Sequence, residues 1–207
     1  MTMRCAFALL ATAVSASALS AQGRPADFRV RFDRPMPDSL FQFETMSPGW
    51  HITTTRPAGI VWRPAQSATG NWRLDATIHL FPRAGHAEGV GVFFGGADLD
   101  GPNQSYTYFL IRKDGQFLIK RREGAATRDI VPWTAHAAIV QQPRTEGGES
   151  ARNDLAVEVT ATEVQFFVNG QRVHTMPRAG LTTDGLVGLR VNHNLNVHVG
   201  RLDVTQR

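Results

Sequence analysis

The sequence predicts an all-β protein folded as a two-sheet antiparallel β-sandwich or jelly roll. Apolar residues recur at every second position in many short segments, a pattern that places one strand face in a core and the other in water. Asp114-Gly115 and Asn169-Gly170 separate such segments, and both dipeptides tolerate the positive φ of tight hairpins. Helical periodicity is almost absent after residue 21, so about ten to thirteen short strands are expected.

The strands can be followed along the chain. The alternating apolar residues are, in order, Phe28, Val30 and Phe32; Trp72, Leu74, Ala76, Ile78 and Leu80; Leu155, Val157 and Val159; Val164, Phe166 and Val168; Val187, Leu189 and Val191; and Val197 and Val199. Residues 89–94 and 106–111 are apolar on both faces, which predicts central strands whose outer face is also partly covered. Residues 141–153 form one long polar interruption and are predicted to be an exposed loop within a single domain.

The hairpin around Asp114-Gly115 is the most informative segment. A three-residue loop is favoured because it segregates apolar from charged side chains, whereas a two-residue loop would mix them. In that register the core face carries Phe109, Ile111, Phe117 and Ile119. The opposite face carries Tyr106, Tyr108, Arg112, Lys120 and Arg122. Such a face could stack on sugar rings and hold acidic or hydroxyl groups, or it could be an ordinary exposed face with cations lying over tyrosines.

The first 21 residues have the layout of a secretory signal peptide. Arg4 provides a positive charge, residues 5–14 are apolar, and residues 15–21 are rich in small side chains. The apolar segment is too short to span a bilayer. Cleavage after residue 20 or 21 would leave one domain, residues 22–207, in the periplasm or outside the cell. The single cysteine lies in the signal, so no disulfide and no cysteine-based metal site is expected in that domain.

Charge and hydropathy argue against two classes of partner. The formal net charge is +4, and removal of Arg4 with the signal would lower it to +3. The only basic cluster, Lys120, Arg121 and Arg122, is too short for a nucleic-acid surface. No second long apolar segment follows the signal. Neither a nucleic-acid partner nor a membrane span is therefore expected.

Several segments resemble the concanavalin A-like lectin/glucanase superfamily, and most closely its bacterial exported branch of 3-keto-disaccharide hydrolase-like and LamG-like domains. The matching segments are Gly89-Val90-Gly91-Val92-Phe93-Phe94-Gly95, residues 106–117, residues 131–134, residues 153–157, the hairpin segment of residues 164–173 with its Phe167-Val168-Asn169-Gly170 turn, residues 185–189 and residues 197–204. Together they cover roughly residues 70–205, while residues 24–68 depart from the hydrolase-like branch. The resemblance implies a concanavalin A-like jelly roll associated with glycans.

The retaining glucanases of this superfamily carry the strand motif Glu-x-Asp-x-x-Glu, which supplies a nucleophile and an acid/base from one strand face. This spacing does not occur in the sequence, and no catalytic residue can be assigned. The favoured function is therefore glycan binding without catalysis. A glycoside hydrolase of the 3-keto-disaccharide hydrolase-like type is the first alternative. A structural or adhesion module with a protein partner is the second.

Three further groups of residues are candidates for ligand or metal binding. Asp98, Asp100 and Asn103 offer oxygen ligands at a spacing that resembles part of a calcium loop, although the same residues are common turn formers. Apart from a possible calcium ion at these residues, no cofactor is expected. Trp133 is the best candidate among the four tryptophans for a sugar-stacking ring. Asn192 and His193 begin a polar segment that either faces a ligand or simply forms a turn.

Overall fold

The structure, a computed structural model, describes residues 22–142 and 149–207; the segment predicted as a signal peptide lies outside these residues. The described part contains fifteen strands. They are β1 (Gln22–Gly23), β2 (Arg29–Phe32), β3 (Phe41–Thr45), β4 (Trp50–Thr54), β5 (Gly59–Ala68), β6 (Trp72–Leu80), β7 (Gly89–Ala97), β8 (Ser105–Arg112), β9 (Gln116–Glu123), β10 (Ala126–Ala135), β11 (Ala151–Val159), β12 (Glu163–Val168), β13 (Gln171–Pro177), β14 (Gly185–Val191) and β15 (Leu195–Gln206). A short 3-10 turn, Asp38–Leu40, precedes β3. Within the described ranges, no helix has the length and apolarity needed to traverse a bilayer.

The strands form two antiparallel sheets, which confirms the predicted sandwich. Sheet A has the order β1-β3-β4-β15-β6-β11-β12-β13, and sheet B has the order β10-β9-β8-β7-β14-β5-β2. Neighbours in both sheets are often far apart in sequence, as when β15 pairs with both β4 and β6. Long connections between the sheets are typical of a jelly roll and place distant residues side by side.

The core lies between the sheets and follows the predicted alternation. On β6, every second residue from Trp72 to Leu80 is buried, and the intervening residues are partly exposed. Phe166 of β12 meets Phe94 and Phe109 of sheet B, with ring centroids 6.2 Å and 5.3 Å away. Tilted and edge-on aromatic pairs of this kind add to the free energy gained from burial alone. This contact joins the two sheets across the core.

The predicted register of the β8–β9 hairpin is confirmed. Arg112 lies opposite Gln116, and Tyr108 lies opposite Lys120. All residues of β7 except Ala97 are buried, as are all inner residues of β8. Since side chains alternate between faces along a strand, sheet B must be covered on both faces here. The apolar runs at residues 89–94 and 106–111 therefore correctly predicted that these strands are buried on both faces of the sheet.

Strand β10 forms one edge of sheet B and interrupts the alternation. Its pairing with β9 shifts register between Asp129 and Val131 and again between Val131 and Thr134. Pro132 lies in the second shift and has no N–H group to donate to a ladder, so it is tolerated on an edge strand. These irregularities break the regular alternation of side chains along residues 131–134.

The second predicted hairpin, at Asn169-Gly170, is also confirmed. Both residues have positive φ, 50° and 77°. The Asn169 side chain accepts a hydrogen bond from the Asp154 backbone N–H at 2.8 Å and donates to the Ala138 carbonyl at 2.8 Å. Asn153, which is fully buried, receives a further hydrogen bond from Asn169 at 3.0 Å. The turn thus fixes the segment that follows β10 as well as its own strands.

Three histidines form a row across the outer face of sheet A. His198 of β15 lies opposite His51 of β4 and His79 of β6, with ring centroids 6.2 Å and 5.9 Å away. Its Nε2 contacts the Pro48 carbonyl at 2.8 Å and must donate to it, while its Nδ1 is buried without a partner. Burial lowers the pKa of His198, and the neighbouring histidines lower it further.

We expect Phe166→Ala to lower the free energy of unfolding by about 3–5 kcal/mol, because it leaves a cavity where a fully buried ring packs between the sheets. Phe167→Ala is a matched control, since Phe167 is the next residue and is only partly buried. Chemical denaturation of both variants checks the difference. Equal losses would contradict the position of Phe166 in the core.

We expect the free energy of unfolding to decrease as the pH falls below about 6.5. The pKa values of His174 and His198 are lowered in the folded state, chiefly by burial, whereas histidines of the unfolded chain titrate near about 6.5. The unfolded state therefore takes up protons first, and the stabilisation present above that pH is lost. The His198→Gln variant should show a weaker dependence when unfolding is measured between pH 7.5 and 5.5. If the free energy of unfolding fell equally with pH in the variant and the parent, His198 would not contribute to the pH dependence.

Candidate functional site

The outer face of sheet B carries a second hydrophobic cluster, here called the outer cluster. It consists of Ile60, Trp62, Phe93, Leu99, Tyr106, Tyr108, Leu110 and Leu118. Strand register builds it: Phe93 of β7 lies opposite Tyr108 of β8 and Gly188 of β14. A Cβ atom on Gly188 would lie 2.6 Å from the Phe93 ring, so glycine leaves the space that this ring fills. The outer cluster forms an apolar floor for polar side chains.

An ion-pair network lies beside this floor. Arg190 of β14 makes two hydrogen bonds to the carboxylate of Asp33, at 2.7 Å and 2.6 Å, and Arg122 of β9 approaches the same carboxylate at 3.1 Å. Arg190 is 5% exposed and Arg122 is 8% exposed. Removing such charges from water is costly and requires a well-aligned partner. One carboxylate therefore serves two buried guanidinium groups.

The network fixes the charge state of Asp33. Burial by itself would raise the pKa of this carboxyl, but the Arg190 hydrogen bond and the charges of Arg190, Arg122 and Arg31 outweigh burial and lower it. For Arg190, burial opposes the charged form, and the contact with Asp33 overcomes this and raises the pKa. The Nε atoms of Arg122 and Arg190 are buried without a partner. Asp33 is thus a permanent anion at neutral pH.

A cavity of about 300 Å³, here called the outer groove, opens over the floor and the network. It is lined by Asp33, Tyr108, Leu110, Leu118, Lys120, Arg122, Thr127, Asp129, Trp133, Arg190 and Asn192. Lys120 forms an ion pair with Asp129 at 2.8 Å. Trp133 is half-buried, and the edge of its ring packs against Gly89. A Cβ atom on Gly89 would lie 2.9 Å from this ring. Apolar, aromatic and charged groups therefore converge in one place, as is usual for ligand sites.

The outer groove brings together four of the predicted ligand-binding residues: Tyr108, Lys120, Trp133 and Asn192. Tyr106 requires a correction. Its side chain is fully buried among Phe93, Tyr108 and Arg190, so it has no exposed face for stacking. Burial raises the pKa of both tyrosines, that of Tyr108 to about 12, so each hydroxyl stays protonated. Tyr108 is itself 5% exposed and offers the groove only a small part of its surface.

Arg112 and His193 lie beside the outer groove. Arg112 binds Asp114 at 2.7 Å and lies over the Trp133 ring, 4.4 Å from its centroid. It therefore holds the tryptophan and occupies one of its faces. His193 lines an adjoining cavity of about 430 Å³ that also contacts Asp33.

The predicted calcium residues have other partners in the structure. The Asp98 carboxylate accepts a hydrogen bond from the Asn103 backbone N–H at 2.9 Å, and Asp100 forms an exposed ion pair with Arg29 at 3.2 Å. Asp98 also has a positive φ of 49°. These contacts belong to a structured turn, and calcium binding there remains a prediction.

A different cluster of metal-ligand side chains lies at the start of β7, next to the end of β14. Nε2 of His86 is 2.9 Å from Oε1 of Glu88, and Nε2 of His193 is 3.3 Å from the same oxygen. Among the residues that the structure describes, these three form the one group of at least three potential ligands within 4.8 Å of one another.

Sequence reasoning did not identify Asp33, Arg190, His86 or Glu88 as site residues. Arg190 occupies a polar position of an alternating strand, which looks like ordinary solvent exposure. Asp33 is 157 residues away from it, so no local pattern links the two. His86-Ala87-Glu88 does carry a local signal, since two ligand types stand two residues apart.

A larger depression, about 650 Å³, lies where residues 161–162 meet residues 178–184. Its charged groups, Arg178 and Asp184, are paired with each other at 3.2 Å, and it has no aromatic lining. The outer groove is the better candidate because it combines aromatic surface with several polar groups.

No protein-family model matches the chain, and no curated protein matches it at a significant level. Solved structures do match it. A protein with a galectin-like fold from Bacillus subtilis has a TM-score of 0.63 and 13% identity, covering 87% of this chain and 89% of that chain. The carbohydrate-binding module CBM66 from Bacillus subtilis has a TM-score of 0.59 and 11% identity, covering 90% and 97%. A GH16 protein from Bacteroides ovatus has a TM-score of 0.60 and 10% identity, covering 88% and 97%. At these identities the likeness confirms the two-sheet jelly-roll β-sandwich and is limited to the fold.

We expect Asp33→Asn to lower the free energy of unfolding by about 3 kcal/mol, because two buried guanidinium groups lose their carboxylate. Asp129→Asn is the matched control, since the Lys120–Asp129 pair is much more exposed and should contribute less than about 1 kcal/mol. Urea denaturation at pH 7 compares them. Equal losses would mean that Asp33 is not the centre of the network.

Proposed function

We propose that this chain is an exported glycan-binding protein and that the outer groove is its binding site. The observation that carries the proposal is the combination of the half-buried Trp133 ring with charged and amide side chains over an apolar floor. Sugar rings present apolar C–H surfaces and many hydroxyl groups, and such a groove can contact both. Export is proposed from the pattern of residues 1–21.

The fold supports a glycan ligand. One solved structure of this fold is a carbohydrate-binding module, and another is a GH16 protein in complex with the G4G4G3G product. The fold alone hosts several functions, so the argument depends on the residues of the outer groove.

The charges of the groove favour an acidic glycan. Lys120, Arg122 and Arg190 face only two carboxylates, Asp33 and Asp129, which leaves one cation in excess. A carboxylate or sulfate on a sugar would be attracted by this excess, whereas a neutral sugar would gain only hydrogen bonds and stacking.

Binding is better supported than hydrolysis. A general acid in glycoside hydrolysis needs a raised pKa so that it carries a proton at neutral pH. Asp33 has the opposite property, because its arginine partners lower its pKa. Asp129 is engaged by Lys120 at 2.8 Å. Both groove carboxylates are therefore occupied in holding cations.

A protein-binding module would be favoured by an exposed apolar patch. In the described part of the chain, the exposed large hydrophobic residues are Met46 and Val140, which belong to separate segments. Glycan binding is therefore the function that the surface supports best.

We expect the purified protein to bind uronic-acid or sulfated oligosaccharides more tightly than neutral ones, with an affinity that falls as salt is raised. Trp133→Ala and Lys120→Ala should each weaken binding by about tenfold, since each removes a groove contact. Arg152→Ala, on sheet A, is the control and should bind normally. A glycan array followed by calorimetry provides the measurement.

The same sugars should be assayed for cleavage. Product formation would contradict the binding-only proposal in favour of a hydrolase. Unchanged binding by the Trp133 and Lys120 variants would place the site elsewhere. Absence of binding to every sugar would favour a protein partner.

A further inference from the structure

The antiparallel pairing of β7 with β14 brings two histidines and a glutamate together. Glu88 immediately precedes β7, and His193 follows β14 by two residues. Val90 lies opposite Val191, and the Asn192 backbone N–H donates to the Gly89 carbonyl at 3.0 Å. The residues just outside these paired ends must therefore be neighbours. His86, two residues before Glu88, completes the group from the same connection.

The ligand atoms of the three side chains converge. Nε2 of His86 and Nε2 of His193 are 3.0 Å apart, and Oε1 of Glu88 is 2.9 Å and 3.3 Å from them. In a tetrahedral zinc site with bonds of about 2.0–2.1 Å, ligand atoms are separated by roughly 3.3 Å. The observed triangle is therefore close to the size that one metal ion requires.

A neighbouring residue orients the carboxylate. Asn192 donates from Nδ2 to Oε2 of Glu88 at 3.1 Å, which leaves Oε1 directed to the histidines. The Glu88 side chain is 15% exposed, whereas those of His86 and His193 are 65% and 40% exposed. Hydrogen bonds to the second atom of a ligating group are a regular feature of metal sites, because they fix its orientation. The exposed histidines leave access for an ion and for an exogenous ligand.

We propose that His86, Glu88 and His193 bind a divalent transition metal ion through two imidazole nitrogens and one carboxylate oxygen. Two nitrogens and one oxygen suit zinc, cobalt or nickel better than calcium or magnesium, which prefer oxygen ligands throughout. Three protein ligands leave at least one coordination position open. Because Asn192 also lines the outer groove, the ion lies next to the proposed glycan site. The proposal does not depend on glycan binding.

The test uses protein purified without a polyhistidine tag and dialysed against EDTA, then titrated with Zn²⁺ by calorimetry. We expect one ion per chain. Bound Co²⁺ should give the visible d–d absorption bands of a protein-coordinated ion. Added Zn²⁺ should abolish these bands, because it displaces Co²⁺ and does not absorb visible light. His86→Ala, His193→Ala and Glu88→Gln should each weaken Zn²⁺ binding at least tenfold. His174→Ala is the control, since His174 is a partly buried histidine on sheet A, and it should bind as the parent does.

Thermal unfolding of every variant in EDTA shows whether it is folded, and Zn²⁺ should raise the midpoint of the parent but not of the three ligand variants. Absence of stoichiometric Zn²⁺ binding by the parent would overturn the proposal. Undiminished binding by all three ligand variants would also overturn it. Repeating the glycan titrations in EDTA keeps the two proposals separate, because loss of the metal site alone would leave the Trp133 and Lys120 effects in place.

Discussion

The register between β8 and β9 is the constraint on which the site depends. Because side chains alternate along a strand, a slip of β9 by one residue against β8 would turn Ile119 to the outer face and bring Lys120 into the core. The three-residue turn at Asp114-Gly115 prevents this slip. The same pairing that closes the core thereby sets the floor and one charged wall of the outer groove.

The buried charges of sheet B also follow from strand register, that of β8 and β9 for Arg122 and that of β7 and β14 for Arg190. Arg122 is on the outer face because Tyr106 lies opposite it, and Arg190 is on the outer face because it lies opposite Gly91. Apolar neighbours keep both guanidinium groups from water, so a carboxylate had to come from outside the central strands. Asp33, which follows β2 at the far edge, provides it. The ion pairs of Asp33 with Arg190 and Arg122 thus hold the N-terminal segment against the centre of sheet B, in addition to the hydrogen bonds between β2 and β5.

The sequence predicted features that depend on local periodicity. The fold class, the core faces of β6 and β12 and the loop length of the β8–β9 hairpin all follow from alternation and turn chemistry over short stretches. Residues 89–94 and 106–111 even predicted that sheet B is covered on its outer face. Tyr106 belongs to one of these runs, so an outer face that is covered there is incompatible with an exposed Tyr106 that binds a ligand. The structure agrees with the covered face.

The rest of the site arises from contacts between distant segments. Asp33 contacts Arg190 although the two are 157 residues apart in the sequence, and His86 contacts His193 although these are 107 residues apart. Strand order, which is decided by the packing of whole sheets, brings these pairs together. No single strand carries enough information to predict them. Export, by contrast, was inferred from residues outside the described part of the chain and stays a prediction.

The irregular pairing of β10 has a consequence for self-association. A regular edge strand presents a row of free N–H and carbonyl groups on which a second chain can extend the sheet. The two register shifts and Pro132 interrupt that row in the middle of β10. An incoming strand would find only short stretches of ladder, so growth of sheet B from this edge is disfavoured. Thr127, Asp129 and Trp133 all come from β10 and line the outer groove. Because a second chain is not expected to pair with this edge, these residues stay accessible to a ligand.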